Sequence, residues 1–190
     1  GQFSGSGEWR SKHGEFYNGE FQNGDFHGQG RLFYSDGSRY QGGFANGMPS
    51  GEGHLQSKDM EYRGEFSKGQ YHGLGKLQWS NGASFQGQFK KGEPHGQGVL
   101  TDAEGNEYVG TFDNHQLNGQ GSFKSLGGDL YSGQFRDNQF HGKGRYQRAD
   151  GEVWSGRFVH GNLTGKGEFK GSDGSHYAGH FSDWSYHGEG

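Results

Sequence analysis

The chain has 190 residues, of which 26% are hydrophobic, 16% are aromatic and 42 are Gly, and its net charge is -4. This composition contains too little apolar material for an ordinary globular core. The abundant aromatic residues and the small net charge exclude a disordered chain. Because Cys is absent, disulfide bonds, thiolate metal sites and thiol nucleophiles are excluded as well.

One segment recurs along almost the whole sequence. It begins Y-x-G-x-F, continues through a turn and ends H-G-x-G. Its first residues follow one another at steps of 23 residues, apart from one step of 22, and they are Tyr17, Tyr40, Tyr62, Phe85, Tyr108, Tyr131, Trp154 and Tyr177. We therefore predict about eight repeats, and assign residues 1–16 to a preceding repeat. The sequence predicts one continuous array over residues 1–190, and we expect it to be a fragment of a longer array.

Each repeat predicts two β-strands. In an extended strand alternate side chains share a face, so Tyr17, Gly19 and Phe21 point to one face. The second strand has an apolar stripe of its own, at Trp9, Leu32, Leu55, Leu77, Leu100, Phe123, Tyr146 and Phe169. Glycine normally weakens a strand, so the paired glycines of the motif indicate that aromatic rings or backbone approach closely there.

Turn signals separate the strands. A dipeptide such as Asn23-Gly24 lies inside most repeats, where Gly takes a positive φ at little cost. Trp184 replaces that Gly in the last repeat, so we expect an altered turn there. A second set of turns joins the repeats, and the segment 57–60 lacks its Gly and is one residue short, which predicts a local irregularity. The pattern predicts an all-β fold, an elongated single-layer twisted antiparallel sheet of tandem β-hairpins that forms a solenoid-like rod.

The pattern Y-x-G-x-F-x-x-G-x-x-H-G-x-G resembles the MORN (membrane occupation and recognition nexus) repeat over nearly the whole chain. The resemblance is to all-repeat MORN proteins of cytoskeletal, flagellar and ciliary structures, including those of protists. It implies protein partners that dock in a groove of the sheet, and dimerisation through array ends. It also implies, less directly, an interaction with lipids.

The aromatic face supplies the candidate binding residues. The candidates for a partner-binding groove are Tyr17, Phe21, Tyr40, Phe44, Tyr62, Phe66, Phe85, Phe89, Tyr108, Phe112, Tyr131, Phe135, Trp154 and Phe158. The candidates for end-to-end self-association are Tyr177, Phe181, Trp184 and Tyr186. Individually these rings fit a core better than a contact, but as a set their rims could line a groove.

The motif histidines are His27, His72, His95, His141 and His187. Equivalent positions in successive repeats are expected about 10 Å apart, too far for one zinc ion. Structural hydrogen bonding is therefore the favoured interpretation, with a shared site of His176, His180 and His187 the remoter alternative. No catalytic residues, metal ligands or cofactor-binding residues are predicted.

These observations predict a non-catalytic protein-protein interaction scaffold, a homodimer through array ends, in a cytoplasmic assembly associated with the cytoskeleton, a cilium or a flagellum. The alternative is a phosphoinositide or membrane-surface binding module. The 18 Lys and Arg residues are scattered, and Lys90-Lys91 is the one adjacent basic pair. That distribution counts against a polybasic membrane segment and against a nucleic-acid partner.

Overall fold

A computed structural model describes residues 2–188. The described residues form 17 β-strands and no helix, and every strand pair is antiparallel. The predicted all-β fold of successive hairpins is therefore confirmed. Within the described residues there is therefore no helix long and apolar enough to cross a membrane.

The chain divides into two units, residues 1–94 and 95–190. In the first unit, each strand pairs with its neighbours in chain order. Its strands are β1 Gly5–Arg10, β2 Phe16–Gln22, β3 Asp25–Phe33, β4 Arg39–Ala45, β5 Met48–Gln56, β6 Met60–Ser67, β7 Gln70–Trp79 and β8 Ser84–Lys90.

The second unit repeats the same order of antiparallel pairs. Its strands are β9 Glu93–Thr101 (from His95 onward), β10 Glu107–Asp113, β11 Gln116–Lys124, β12 Leu130–Arg136, β13 Gln139–Gln147, β14 Val153–Val159, β15 Asn162–Lys170, β16 His176–Ser182 and β17 Ser185–His187.

The turns inside the hairpins share one backbone conformation. Asn23 and Gly24 have φ of 52° and 85°, so both residues of this turn are in the left-handed region. Asp183 and Trp184 have φ of 47° and 67°, so this turn also has both residues in the left-handed region. The prediction of an altered turn at Trp184 was therefore wrong. The Trp184 N–H donates to the Leu163 carbonyl oxygen at 3.2 Å, and this hydrogen bond, together with packing of the indole, holds the residue there.

The connection between β5 and β6 is irregular, as predicted. The usual connection spans five residues, as between Tyr34 and Ser38, where the Tyr34 N–H donates to the Ser38 carbonyl oxygen at 2.9 Å. In the short connection the Ser57 N–H donates to Met60 at 2.8 Å, three residues on. The Ser57 hydroxyl oxygen accepts the N–H groups of Asp59 and Met60, which supports the tighter turn.

A β-bulge interrupts the hairpin at the H-G of the motif. Gly19 pairs with Gly30, but the next pair joins Glu20 to His27, so two residues of β3 have no partner on β2. Gly28 takes φ of 58° in this bulge, a conformation that favours glycine. The same register shift follows Gly64, Gly110, Gly133 and Gly156.

The motif tyrosine forms the core of its repeat. Tyr17 is fully buried and stacks on Phe26, with ring centroids 3.8 Å apart. A Cβ added to Gly30 would lie 2.5 Å from Tyr17 Cε2, so the ring needs this glycine. The prediction that rings lie against the paired glycines is thus confirmed for this repeat, and it holds for Tyr62 on Gly75 and for Tyr131 on Gly144.

Candidate partner-binding surfaces

The predicted groove residues lie mostly in the core. Of the fourteen candidates, only Tyr108 and Trp154 are half-buried, and the others are buried. Phe158, for example, has an exposed fraction of 0% and Tyr40 of 1%. On the aromatic side of the sheet, the rings that remain accessible to a partner are Tyr108, Trp154 and the second-strand rings beside them. That these residues bind a partner stays a prediction.

A leucine explains why Tyr108 and Trp154 are half-buried. Where the residue before the motif His is aromatic, it stacks on the tyrosine, as Phe26 does on Tyr17. In two repeats of the second unit this residue is Leu117 or Leu163, each fully buried. Added Cβ atoms on Gly110 and Gly156 would meet these leucines at 2.6 Å and 2.9 Å, the space that a tyrosine ring takes elsewhere.

The displaced rings pack against the second strand of their own hairpins. Tyr108 lies 4.9 Å from Phe123 and Trp154 lies 4.9 Å from Phe169, between ring centroids. In the first unit the positions equivalent to Phe123 include Leu32 and Leu77, which are both buried. At this position the second unit has half-buried rings in Phe123 and Tyr146 and a buried ring in Phe169, whereas β3, β5 and β7 of the first unit have leucines, of which Leu55 is half-buried.

These rings form a continuous surface, which we name the aromatic strip. Its members are half-buried, belong to the second unit and are Tyr108, Phe123, Phe140, Tyr146, Trp154 and Trp184. Phe123 and Phe140 lie 5.5 Å apart, and Phe140 and Tyr146 lie 6.1 Å apart. Tyr146 reaches Trp184 at 5.2 Å, and Trp184 reaches Trp154 at 6.0 Å. Each ring thus contacts the next without a break.

Tyr146 is held in place by a carboxylate. Its hydroxyl donates to Asp129 Oδ2 at 2.7 Å, while Asp129 Oδ1 accepts the Ala149 N–H at 2.9 Å. The hydrogen bond from Tyr146 lowers the pKa of Asp129. Burial, together with the charge of Asp129, raises the pKa of Tyr146 to about 12. The ring therefore has a fixed orientation at the surface, which reduces the entropy lost when a partner binds.

The self-association candidates have different environments. Phe181 is buried, Tyr177 and Trp184 are half-buried, and Tyr186 is 54% exposed. Tyr186 packs on Tyr177, with ring centroids 4.3 Å apart. Among the four, Tyr186 is the most exposed, and a contribution to self-association stays a prediction.

The motif histidines contribute backbone to the core. The carbonyl oxygens of His27, His72 and His141 accept hydrogen bonds of 3.3 to 3.4 Å from the hydroxyls of the motif tyrosines. Because the acceptor is a backbone carbonyl, these contacts do not require the imidazole of the motif histidine. Within residues 2–188 no three His, Asp or Glu side chains converge on a possible metal site.

The residue between Gly and Phe of the motif has a structural role that the sequence did not reveal. Glu65 Oε1 accepts the N–H of Leu74 at 3.0 Å, inside the bulge, and Glu20 and Gln134 bond Gln29 and Lys143 in the same way. Their recurrence as Glu or Gln was visible, but the bulge that brings the N–H within reach was not. These carboxylates and amides are structural.

The fold and the repeated site define a tandem β-hairpin repeat protein. The MORN repeat model matches residues 17–39, 40–59, 62–84, 85–107, 108–129, 131–153 and 154–176. The chain therefore belongs to the MORN-repeat family. This family assignment agrees with a module that binds proteins or membranes. No curated protein sequence matches the chain.

Several solved structures resemble the fold. One is the TCP domain of Drosophila melanogaster SAS-4 (dCPAP), in complex with a proline-rich motif of Ana2 (dSTIL), at 10% identity and a TM-score of 0.51, covering 91% of this chain and 88% of that chain. Another is the G-box domain of the microcephaly protein CPAP, at 10% identity and a TM-score of 0.51, covering 94% and 100% of the two chains. At this identity the likeness concerns the fold alone.

Proposed function

We propose that this protein is a non-catalytic scaffold that binds protein partners through the aromatic strip. The observation that supports the proposal best is the unbroken contact of six half-buried rings from Tyr108 to Trp184. Apolar rings gathered at a surface mark interaction sites, and rigid aromatic side chains contribute most of the binding energy in such sites. The repeat supplies the rigid support, because buried rings hold the strands beneath the strip.

The proposed partner is an extended, proline-rich protein segment. Such segments form a preordered left-handed helix that docks on aromatic-lined surfaces and loses little entropy on binding. The strip has the aromatic side chains that such docking requires. Tyr146, which carries a hydroxyl group, lies between Phe140 and the indoles of Trp154 and Trp184. The proline-rich motif bound to the SAS-4 TCP domain supports this choice at the level of the fold.

In the cell we propose a cytoplasmic scaffold in a cytoskeletal, ciliary or flagellar assembly. The family, and the role in centriole elongation suggested for the CPAP G-box domain, support this location. Self-association through Tyr186 and Trp184 belongs to the same proposal, and a mass measurement by light scattering across protein concentration tests it.

The experiment measures binding of a synthetic polyproline peptide by isothermal titration calorimetry. The test variant replaces both Phe123 and Tyr146 with Leu, the residue that the first unit has at the equivalent positions 32, 55 and 77. The matched control is Trp9→Leu, because Trp9 occupies the equivalent position in β1 and is 39% exposed.

We expect the double variant to weaken binding by about 2 kcal/mol, since aromatic anchors contribute more than about 1 kcal/mol each. Trp9→Leu should leave the affinity unchanged. Equal weakening by both variants, or no binding of the peptide to the original protein, would refute a proline-rich partner on the strip.

A further inference from the structure

From β11 to β16 of the second unit, basic residues lie mainly in the strands and acidic residues lie mainly in the turns. Strands β11 to β16 contain seven basic residues, Lys124, Arg136, Lys143, Arg145, Arg157, Lys166 and Lys170, and one acidic residue, Glu168. The turns between these strands hold acidic residues instead, at Asp129, Asp137, Asp150, Glu152 and Asp173. Four of the seven cations, Lys143, Arg145, Arg157 and Lys166, lie away from the strand ends, whereas the acidic residues lie in the turns, where Arg148 is the basic exception.

The strand register gathers four of the cations, which we name the basic patch: Lys143, Arg145, Arg157 and Lys166. Lys143 and Arg157 are direct partners on β13 and β14, and therefore share a face. Arg145 lies two residues beyond Lys143, on the same face of β13. Lys166 lies in the bulge of β15 opposite Arg157. All four side chains are exposed.

The four cations have no carboxylate partner within residues 2–188. The ion pairs of this part of the second unit involve Arg148, which contacts Asp150 at 3.4 Å and Glu152 at 3.0 Å in a turn. Glu168 lies two residues from Lys166 on β15, and it is paired across the strands with Ser155. Like charges on neighbouring strands repel, so an anion placed among them would relieve that repulsion.

A shallow, open depression lies beside the patch. It has a volume of about 610 Å³ and is lined by Lys166, Glu168, Ser155, Ala178, His180 and three strand glycines. The glycines leave the backbone open to an approaching chain. Since Arg145 and Tyr146 are consecutive in β13, the patch and the aromatic strip lie on opposite faces of the sheet.

We propose that the basic patch binds an extended, Asp- and Glu-rich segment of a partner protein. A single extended chain meets the cations in the middle of the sheet without reaching the acidic turns. A flat anionic membrane would be brought against those turns as well, and they would repel it. Charge complementarity therefore favours an acidic peptide over a lipid surface, and the site is separate from the aromatic strip.

The test measures fluorescence anisotropy of a labelled peptide of alternating Glu and Ser, with a Gln and Ser peptide as the uncharged control. The protein variant carries K143Q, R145Q, R157Q and K166Q. The matched control carries K12Q, K58Q, K76Q and K90Q, which removes the same charge from exposed residues of the first unit. Vesicles containing phosphatidylinositol 4,5-bisphosphate form the membrane arm.

We expect the Glu peptide to bind, with an affinity that falls as salt rises from about 0.05 M to about 0.3 M, because these charges are exposed to solvent. The patch variant should weaken binding about tenfold or more, and the matched control should weaken it less than about twofold. The F123L/Y146L variant should bind normally, which separates this site from the proposed scaffold function.

Three outcomes would overturn the inference. They are equal weakening by the two charge variants, equal binding of the Gln peptide, and vesicle binding that depends on the patch without peptide binding. Circular dichroism confirms that each variant keeps its β-structure, so a loss of binding reports on charge.

Discussion

The hydroxyl of Tyr131 donates a hydrogen bond of 2.9 Å to the carbonyl oxygen of Gln134, three residues further along the same strand. A second, longer contact of 3.3 Å joins the hydroxyl to the carbonyl oxygen of His141 on the partner strand. The tyrosine thus ties both sides of the β-bulge while its ring lies against Gly144. This arrangement explains why the repeat combines a tyrosine, a bulge and paired glycines.

Tyr131→Phe should lower the free energy of unfolding by about 1 kcal/mol, because the buried carbonyl oxygens lose their donor while the ring stays. Tyr108→Phe is the matched control, since Tyr108 forms no hydroxyl hydrogen bond to the described residues and is half-buried. Urea unfolding followed by circular dichroism measures both. A larger loss in Tyr108→Phe would contradict the bulge-tying arrangement.

Gly144→Ala should destabilise the protein by about 1 to 3 kcal/mol, because the new Cβ would lie 2.5 Å from Tyr131 Cε2 in a closely packed core. The control is Gly127→Ala, where the nearest atom to a new Cβ is Ser125 Oγ at 3.6 Å. Thermal unfolding of the two variants compares them. Equal melting temperatures would show that the ring moves aside freely.

Glu65→Ala should cost about 1 kcal/mol, since the N–H of Leu74 loses its acceptor inside the bulge. Glu65→Gln retains an oxygen at the same position and should be close to neutral, as Gln134 shows by bonding Lys143. Hydrogen exchange at the Leu74 amide reports the local effect. Slow exchange in Glu65→Ala would mean that the side chain does not protect this amide.

Alkaline pH should destabilise the fold. Burial raises the pKa of Tyr131 to about 12, above its ordinary value of 10.0. A raised folded-state pKa gives stability that is complete below the unfolded pKa and is lost as pH rises through the folded pKa. Stability should therefore fall between about pH 10 and about pH 12. Urea unfolding across this range measures it, and Tyr131→Phe should reduce the slope, whereas an unchanged slope would contradict burial of the hydroxyl.

The sequence was sufficient to predict the hairpins, their turns and the short connection at Ser57, because these depend on local spacing and on glycine. The bulge was harder to foresee, since Gly28 in H-G-x-G also fits a regular strand. The backbone tolerance of Trp184 was missed for a related reason: its hydrogen bond to Leu163 comes from the preceding repeat.

The two surfaces depend on contacts between residues distant in sequence. Leu117 decides whether Tyr108 is buried, and this requires knowledge of which side chain fills the space at Gly110. The basic patch was not visible because its cations are spread over 24 residues from Lys143 to Lys166 and meet only through strand register. The sequence showed scattered charge, whereas the sheet brings part of it together.

We propose that the buried motif rings hold the repeat together while the half-buried strip binds the partner. Fluorine NMR of 5-fluorotryptophan-labelled protein tests it directly, because Trp154 and Trp184 belong to the strip while Trp9 and Trp79 belong to the first unit. On addition of the polyproline peptide, the resonances of Trp154 and Trp184 should shift and those of Trp9 and Trp79 should not. Shifts confined to Trp9 or Trp79, or four unchanged resonances at saturating peptide, would contradict the account.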